Sequence, residues 1–310
     1  MVDGQGVSFL PFHFGVIPSE IDADFDVSLS IAAELGLSEI EVSEVDGVQL
    51  PDLLPAQVAS AAERARRAGM TIRVCGAQTF KPLEIGPGTG DVLDLAAVRA
   101  QFEQLDAALA VTKQFGAPIL RLYAFRREDM IGLGNPSPIL PDGGTIPDRI
   151  IERGRRVLHA AGDRAAALGM TLAVENVRSC WANTGVNVAR LIAAADHPAV
   201  RICWDPANDF VGGGEPATTG YAAVRDYVVT AHFKDAVLAD PVTGLTAWTP
   251  IGDGSVDPVA QLRLLAADGF TGLASLETHW RAPNGSKADG SRQSFAGLAR
   301  AAQEAVAVRA

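Results

Sequence analysis

Four residues with metal-binding side chains recur where apolar runs of this 310-residue chain end: Glu175 in "AVEN", Asp205 in "CWDP", His232 in "AHFKD" and Glu277 in "SLETHW". Each follows the one before by about one strand-plus-helix unit. Three carboxylates brought together repel and shift one another's pKa. One imidazole cannot neutralise them, but a divalent cation can. Three oxygen donors and one nitrogen donor suit a hard or borderline ion, so Mn2+ heads the expected set, with Mg2+, Co2+ and Zn2+ as alternatives. Lys234 lies two residues after His232 and so shares its face of a strand. Burying both costs free energy unless something compensates. A metal site beside them would, and would leave Lys234 near the mouth, able to steady a developing oxyanion or to form a structural salt bridge with a neighbouring acid. His279, two residues beyond Glu277, shares that face and can reach a substrate. Asp235 has the opposite parity and is expected to act as a cap or loop anchor towards an outer layer.

These side chains meet only if the elements carrying them are neighbouring parallel strands, where equivalent positions lie roughly 5 Å apart. The chain supplies such elements. Eight β-type runs, "VSFLPFHFGV", "EIEVSEV", "TIRVCGAQ", "PILRLYAF", "TLAVEN", "VRICWDP", "VVTAHFKD" and "TGLASLETHW", alternate with longer helical patterns. The helical patterns include "PAQVASAAERARRAG", "DRIIERGRRVLHAAGDRAAALG", "TGYAAVRDYV" and a C-terminal "RQSFAGLARAAQEAVAV". Gly36, Gly69, Gly116, Gly169 and Gly269 stand where helices should stop. No composition break divides the series, so residues 1–310 are expected to form a single α/β domain, a (β/α)8 TIM barrel. An open doubly wound sheet is the rival; it lacks a glycine-rich phosphate turn after the first strand. Segments 81–91, 126–147, 236–258 and 281–291 follow strands and should crown the C-terminal face as extended loops. The segment 126–147 is long enough to serve as a lid or a docking surface. "GPGTG" (86–90) lacks the Lys-Ser/Thr ending of a phosphate loop and reads as a flexible turn.

Composition narrows the partners. With 26 Lys and Arg against 37 Asp and Glu, the formal charge is −11, which offers no electrostatic footprint for nucleic acid or anionic membrane. No window approaches a transmembrane length. Cys75, Cys180 and Cys203 show no pairing or zinc-type spacing, so a reducing, cytoplasmic setting is expected.

At the four strand-end residues the chain resembles the xylose-isomerase-like barrel superfamily, the sugar phosphate isomerase/epimerase group. The resemblance runs from the first strand to "SLETH". Members typically carry Glu on strand five, Asp on strand six, His on strand seven in an H-x-K-D-like motif and Glu on strand eight, matching Glu175, Asp205, His232 in "HFKD" and Glu277. The resemblance implies one divalent metal on these four residues and a carbohydrate as small-molecule substrate. It further implies that Glu175 and Glu277 act as bases on the two sides of a carbon, through a metal-stabilised enediolate. Tagatose-epimerase-like members place a substrate-contacting His three residues after the strand-six Asp; here Asn208 stands there and can still bond a hydroxyl. Endonuclease-IV-like members hold three zinc ions with many histidines. This chain has five, His13, His159, His197, His232 and His279, and two of them fall on or after outer helices.

The expected function is therefore a metal-dependent sugar or polyol isomerase/epimerase, with catalytic Glu175, Glu277, Lys234 and His279. A lyase on the same scaffold is the alternative, either a dehydratase or the catalytic subunit of a C-glycoside-cleaving enzyme acting on an oxidised glycoside. A metal-less sugar-binding module is the option from another class. His13, Trp181 and Trp280 join Asn208 as candidate substrate contacts, with a core histidine the rival reading for His13 and packing under a loop the rival for either tryptophan. Glu41 and Arg121 are expected to pair within the barrel. Arg281, Lys287 and Arg292 would form a basic patch around the last loop. A homo-oligomer or a small partner subunit is compatible with all of this.

Overall fold

The computed structural model describes residues 10–86, 88, 90–128 and 144–307. Eight strands close a barrel: β1 (His13–Val16), β2 (Glu39–Val42), β3 (Thr71–Gly76), β4 (Ile119–Leu122), β5 (Thr171–Glu175), β6 (Val200–Trp204), β7 (Val228–Phe233) and β8 (Leu273–Leu276). All pairings are parallel, each strand lies beside its neighbours in sequence, and β8 closes on β1 with Val16 opposite Leu276. This is the (β/α)8 barrel that the alternating runs predict.

The helices follow from their apolar spacing and their caps. In α4 (Asp148–Ala166), Ile150, Gly154, Val157, Leu158, Ala161 and Ala165 are buried, recurring at helical spacing along one face. Around the ring stand α1 (Phe25–Glu34), α2 (Pro55–Arg67), α3 (Ala96–Phe115), α5 (Gly185–Ala195), α8 (Pro258–Ala267) and α9 (Lys287–Ala307). Side chains of Asp24, Thr184 and Asp257 accept backbone N–H bonds at the starts of α1, α5 and α8. The five glycines expected to stop helices all have positive φ, from +69° to +77°, a region costly for other residues.

Several boundaries differ from the sequence expectation. The first strand begins only at His13. A short helix, α6 (Pro206–Val211), follows β6 directly, with Asp205 as its N-cap and Pro206 in its first turn. In place of a helix over 219–228 there is a π-type turn, Pro216–Gly220, and a single turn, α7 (Tyr221–Val224). The expected loop 236–258 contains an antiparallel hairpin, Asp235–Asp240 with Leu245–Thr249, and α9 starts at Lys287, inside the expected last loop. Residues 129–143 of the candidate lid 126–147 lie outside the described residues. Its two ends are tied down: Arg127 N–H donates to Ser179 O and Ile146 N–H to Asn187 Oδ1. Among the described residues no helix is long and apolar enough to cross a membrane.

Candidate metal centre

Glu175, Asp205, His232 and Glu277 all point inward at the C-terminal ends of β5 to β8 and are buried. One ligand atom from each lies within 4.8 Å of all the others. Glu277 Oε2 is 3.3 Å from His232 Nδ1, Glu175 Oε1 is 3.6 Å away and Asp205 Oδ2 is 4.0 Å away. Asp205 does two things at once. Its Oδ1 accepts the Asn208 N–H at 2.8 Å and so starts α6, while its Oδ2 faces the cluster.

Cations and polar groups surround the four. The Lys234 ammonium donates to Asp205 Oδ2 at 2.5 Å and to Glu277 Oε2. Asn208 Nδ2 donates to Glu175 Oε1 at 2.9 Å. Across the barrel, Glu41 Oε2 lies 2.9 Å from His232 Nε2 and accepts from Ser275 Oγ at 3.2 Å. Its Oε1 accepts from Arg121 Nε at 3.0 Å, and Arg121 also bonds Tyr123 Oη at 2.6 Å. Glu41 and Arg121 do pair, as expected, but Glu41 also holds the histidine.

These contacts set the ionisation. Burial works against a charged Glu41, yet His232 and Arg121 overcome it and hold its carboxyl down at about 2. Asp205 is pushed up to about 6, first by burial and then by Glu277 and Glu175, with Lys234 opposing. Burial and Glu277 raise Glu175, but His232 and Arg121 keep it below the usual carboxylate range. Glu277, also opposed by burial, is held low by Lys234, His279 and His232.

The donor set fits one divalent cation. Four buried carboxylates, counting Glu41, face two fixed cations, Arg121 and Lys234. With His232 neutral, as a ligand must be, two negative charges remain. His232 Nδ1 is buried without a hydrogen-bond partner and faces the three carboxylates, the condition of an atom awaiting a ligand.

The other sequence candidates divide. His279 stands at the rim with Nε2 3.4 Å from Glu277 Oε1, its ring edge-on to Trp248 at 5.0 Å between centroids. Trp280 is half-buried at the end of β8, and its carbonyl packs against Gly290. Asn208 is buried, and its Nδ2 donates to Glu175 Oε1. Trp181 is buried under the Arg127 guanidinium, with its N–H donated to Glu128 at 3.1 Å, so it anchors the foot of a loop instead of walling the cluster. His13 is a correction. It starts β1, at the end of the barrel opposite the cluster, with a side chain 56 % exposed and 3.5 Å from Glu39. It is neither a core histidine nor placed to touch substrate. The basic patch is also dispersed: Arg292 pairs with Glu34, and Lys287 donates to Ser19 O. Asp235 is the expected anchor, its carboxylate accepting N–H bonds from Ala236, Gly252, Gly254 and Val256. The cysteines are free and buried, with thiols pushed up to about 12 by burial.

Sequence reasoning missed three residues near the centre. Trp248 arrives on the hairpin that stands in the expected loop 236–258. Tyr123 follows β4 and is buried against Arg121. Glu20, in the turn after β1, brings a carboxylate within 4.8 Å of atoms of Glu277 and His279. No spacing signal links Glu20 to strand eight; only closure of the barrel does.

The sequence model of the family described as "Xylose isomerase-like TIM barrel" matches residues 29–301. The chain belongs to this family. No curated protein matches it. Solved structures of similar fold include an L-ribulose 3-epimerase, at 16 % identity, TM-score 0.69, covering 96 % of this chain and 98 % of that one. The probable 3-DHS dehydratase AsbF of Bacillus anthracis is 15 % identical, with TM-score 0.65 and coverages of 93 % and 97 %. The IOLI protein with a bound zinc atom is 16 % identical, with TM-score 0.72 and coverages of 94 % and 99 %. At these identities the likeness is one of fold.

Proposed function

We propose that this xylose isomerase-like barrel is a divalent-metal-dependent isomerase or epimerase of a sugar or polyol. The observation that carries the proposal is the convergence of Glu175, Asp205, His232 and Glu277 from four consecutive strands, with their ligand atoms within 4.8 Å of one another. These four residues would hold the cation, Mn2+ first among Mn2+, Mg2+, Co2+ and Zn2+. When bound, the cation supplies Lewis-acid polarisation of a substrate carbonyl.

The remaining work falls to the chain. Glu175 and Glu277 take and return a proton at the carbon beside that carbonyl, one from each side. Asn208 and Arg121 fix Glu175 in place. Lys234 donates to the substrate oxygen on which negative charge develops. The likeness to an L-ribulose 3-epimerase supports this chemistry by analogy of fold.

One observation favours a second reading, elimination. The His279 imidazole is one-third exposed at the rim and lies beside Glu277, where it could protonate a departing hydroxyl or aglycone. The probable 3-DHS dehydratase AsbF shares the fold.

Incubating the Mn2+-loaded protein with a panel of ketoses and keto-cyclitols in deuterated water separates the readings. Isomerisation gives a product of unchanged skeleton carrying deuterium; elimination gives a product lighter by water or an aglycone. If elemental analysis finds no bound metal and no substrate carbon exchanges, the enzymatic reading is abandoned for a sugar-binding module.

A further inference from the structure

Of the four tryptophans, Trp181 and Trp204 belong to the hydrophobic core, and Trp204 also donates to Gln261 at 3.0 Å. Trp248 does not belong to it. It sits on Leu245–Thr249, opposite Ala236 in the hairpin that rises from the end of β7, and is only half-buried. Two contacts place its indole beside the centre. Its ring lies 5.0 Å from the His279 ring, nearly perpendicular to it, and His279 Nε2 is 3.4 Å from Glu277. The Lys234 ammonium, which bridges Asp205 and Glu277, stands 5.6 Å from the indole centroid.

The indole is also held in place. The Asp235 carboxylate at the hairpin's base accepts four backbone N–H bonds, from Ala236 at 2.8 Å, Gly252 at 2.9 Å, Gly254 at 3.1 Å and Val256 at 3.1 Å. A Cβ on Gly254 would stand 2.0 Å from Asp235 Oδ1, and one on Gly297 of α9 would stand 1.8 Å from the Ile251 carbonyl oxygen. Both glycines permit the close packing that fixes this turn. A flat apolar side chain on a braced support, beside a polar cluster and open to solvent, is how binding sites present a recognition surface.

We propose that Trp248, with His279 at its edge, is a specificity-determining residue that selects a saturated six-membered polyol ring, a pyranose or a cyclitol, over an open-chain polyol. Such a ring offers a face of C–H groups to the indole. Its hydroxyls then meet His279, Lys234 and the cluster at the ring's edge. An open chain has the same hydroxyls but no rigid apolar face, and it loses more conformational freedom on binding. The inference rests on the proposal that the cluster acts on a sugar or polyol, and it adds the form in which that ligand is bound.

The probes are myo-inositol and methyl α-D-glucopyranoside, both rings, against sorbitol, an open six-carbon chain. Dissociation constants are measured by calorimetry or ligand-observed NMR on the Mn2+-loaded protein, with metal content determined for every sample. The ring probes are expected to bind about tenfold or more tighter than sorbitol, in line with the worth of a good aromatic contact. Trp248→Phe should keep most of that preference. Trp248→Leu, apolar but not planar, should abolish it at unchanged metal content. The proposal is overturned if the parent shows no ring preference, if no ring probe binds saturably, or if Trp248→Leu keeps the preference. Absence of metal from the parent would instead count against the proposed metal-dependent function, because ring preference and its dependence on Trp248 are read separately.

Discussion

Glu41 on β2 and His232 on β7 meet across the barrel, with Oε2 2.9 Å from Nε2. A carboxylate there holds a proton on Nε2, so Nδ1 is the nitrogen that faces Glu175, Asp205 and Glu277 and would give up its proton to a bound cation. Replacing Glu41 with Gln should remove that charge and present an amide donor to Arg121 or to His232. Metal affinity is expected to fall on the order of 10- to 100-fold, as for loss of such an outer carboxylate. Competition with a chromogenic chelator measures it. An unchanged affinity would reduce Glu41 to a partner of Arg121.

Metal should stabilise the fold. A ligand that binds only the native state adds about 2.7 kcal/mol at a hundredfold excess over its Kd. Chelator-treated protein is expected to melt at a lower temperature and recover on addition of Mn2+. His232→Ala should show little or no recovery. A parent whose Tm ignores both chelator and Mn2+ would argue against the centre.

Glu175→Gln and Glu277→Gln keep size and one ligating oxygen but cannot accept a proton at neutral pH. With metal saturation confirmed, each is expected to lose on the order of a hundred- to ten-thousand-fold in kcat, as for removal of a general base. One single variant can still exchange deuterium from the face served by its surviving Glu while failing to form product; the double variant should do neither. Saturated variants that turn over like the parent would shift attention to Lys234 and His279.

Asp209 on α6 gives a pH signature away from the ligands. Its Oδ1 accepts the Gly185 N–H at 2.6 Å, its Oδ2 is buried without a partner, and burial pushes its pKa up to about 7. The ordinary value is 3.8, so the folded state binds a proton more tightly than the unfolded one. Its stability contribution is therefore full below the unfolded pKa and lost as pH rises towards the folded value. Asp209→Asn keeps the acceptor for Gly185 and removes the titration. The Tm of the variant minus that of the parent should rise between pH 4 and pH 7. A difference that stays flat across that range would show that Asp209 titrates normally.

Much of this was legible in the sequence, for a physical reason. Barrel strands are short apolar runs at regular intervals, so a polar residue ending one run stands near the polar residue ending the next. That regularity located Glu175, Asp205, His232 and Glu277. It fails where the chain departs from one strand and one helix per unit. Trp248 was hidden because its hairpin is inserted after β7, and α6 because Asp205 both ends a strand and starts a helix. His13 looks internal in the apolar run 7–16, whereas β1 begins at His13 and leaves its side chain exposed. Glu41 was seen as half of an ion pair. Its second partner, His232, lies on the other side of the barrel, and no local pattern reports such a contact.

Because the four candidate ligands lie on β5 to β8, their order along the chain is also an order of appearance during synthesis. Glu277 is the last to emerge, on the strand that must also pair with β1 to seal the barrel. A nascent chain paused before β8 carries two carboxylates and the imidazole on an open sheet, able to grip an ion weakly and from one side. Full capture and ring closure then become one event, the docking of β8. Damage to the last strand would leave a chain that is both unsealed and unable to retain its ion, a condition that quality-control proteases would meet as a single failure.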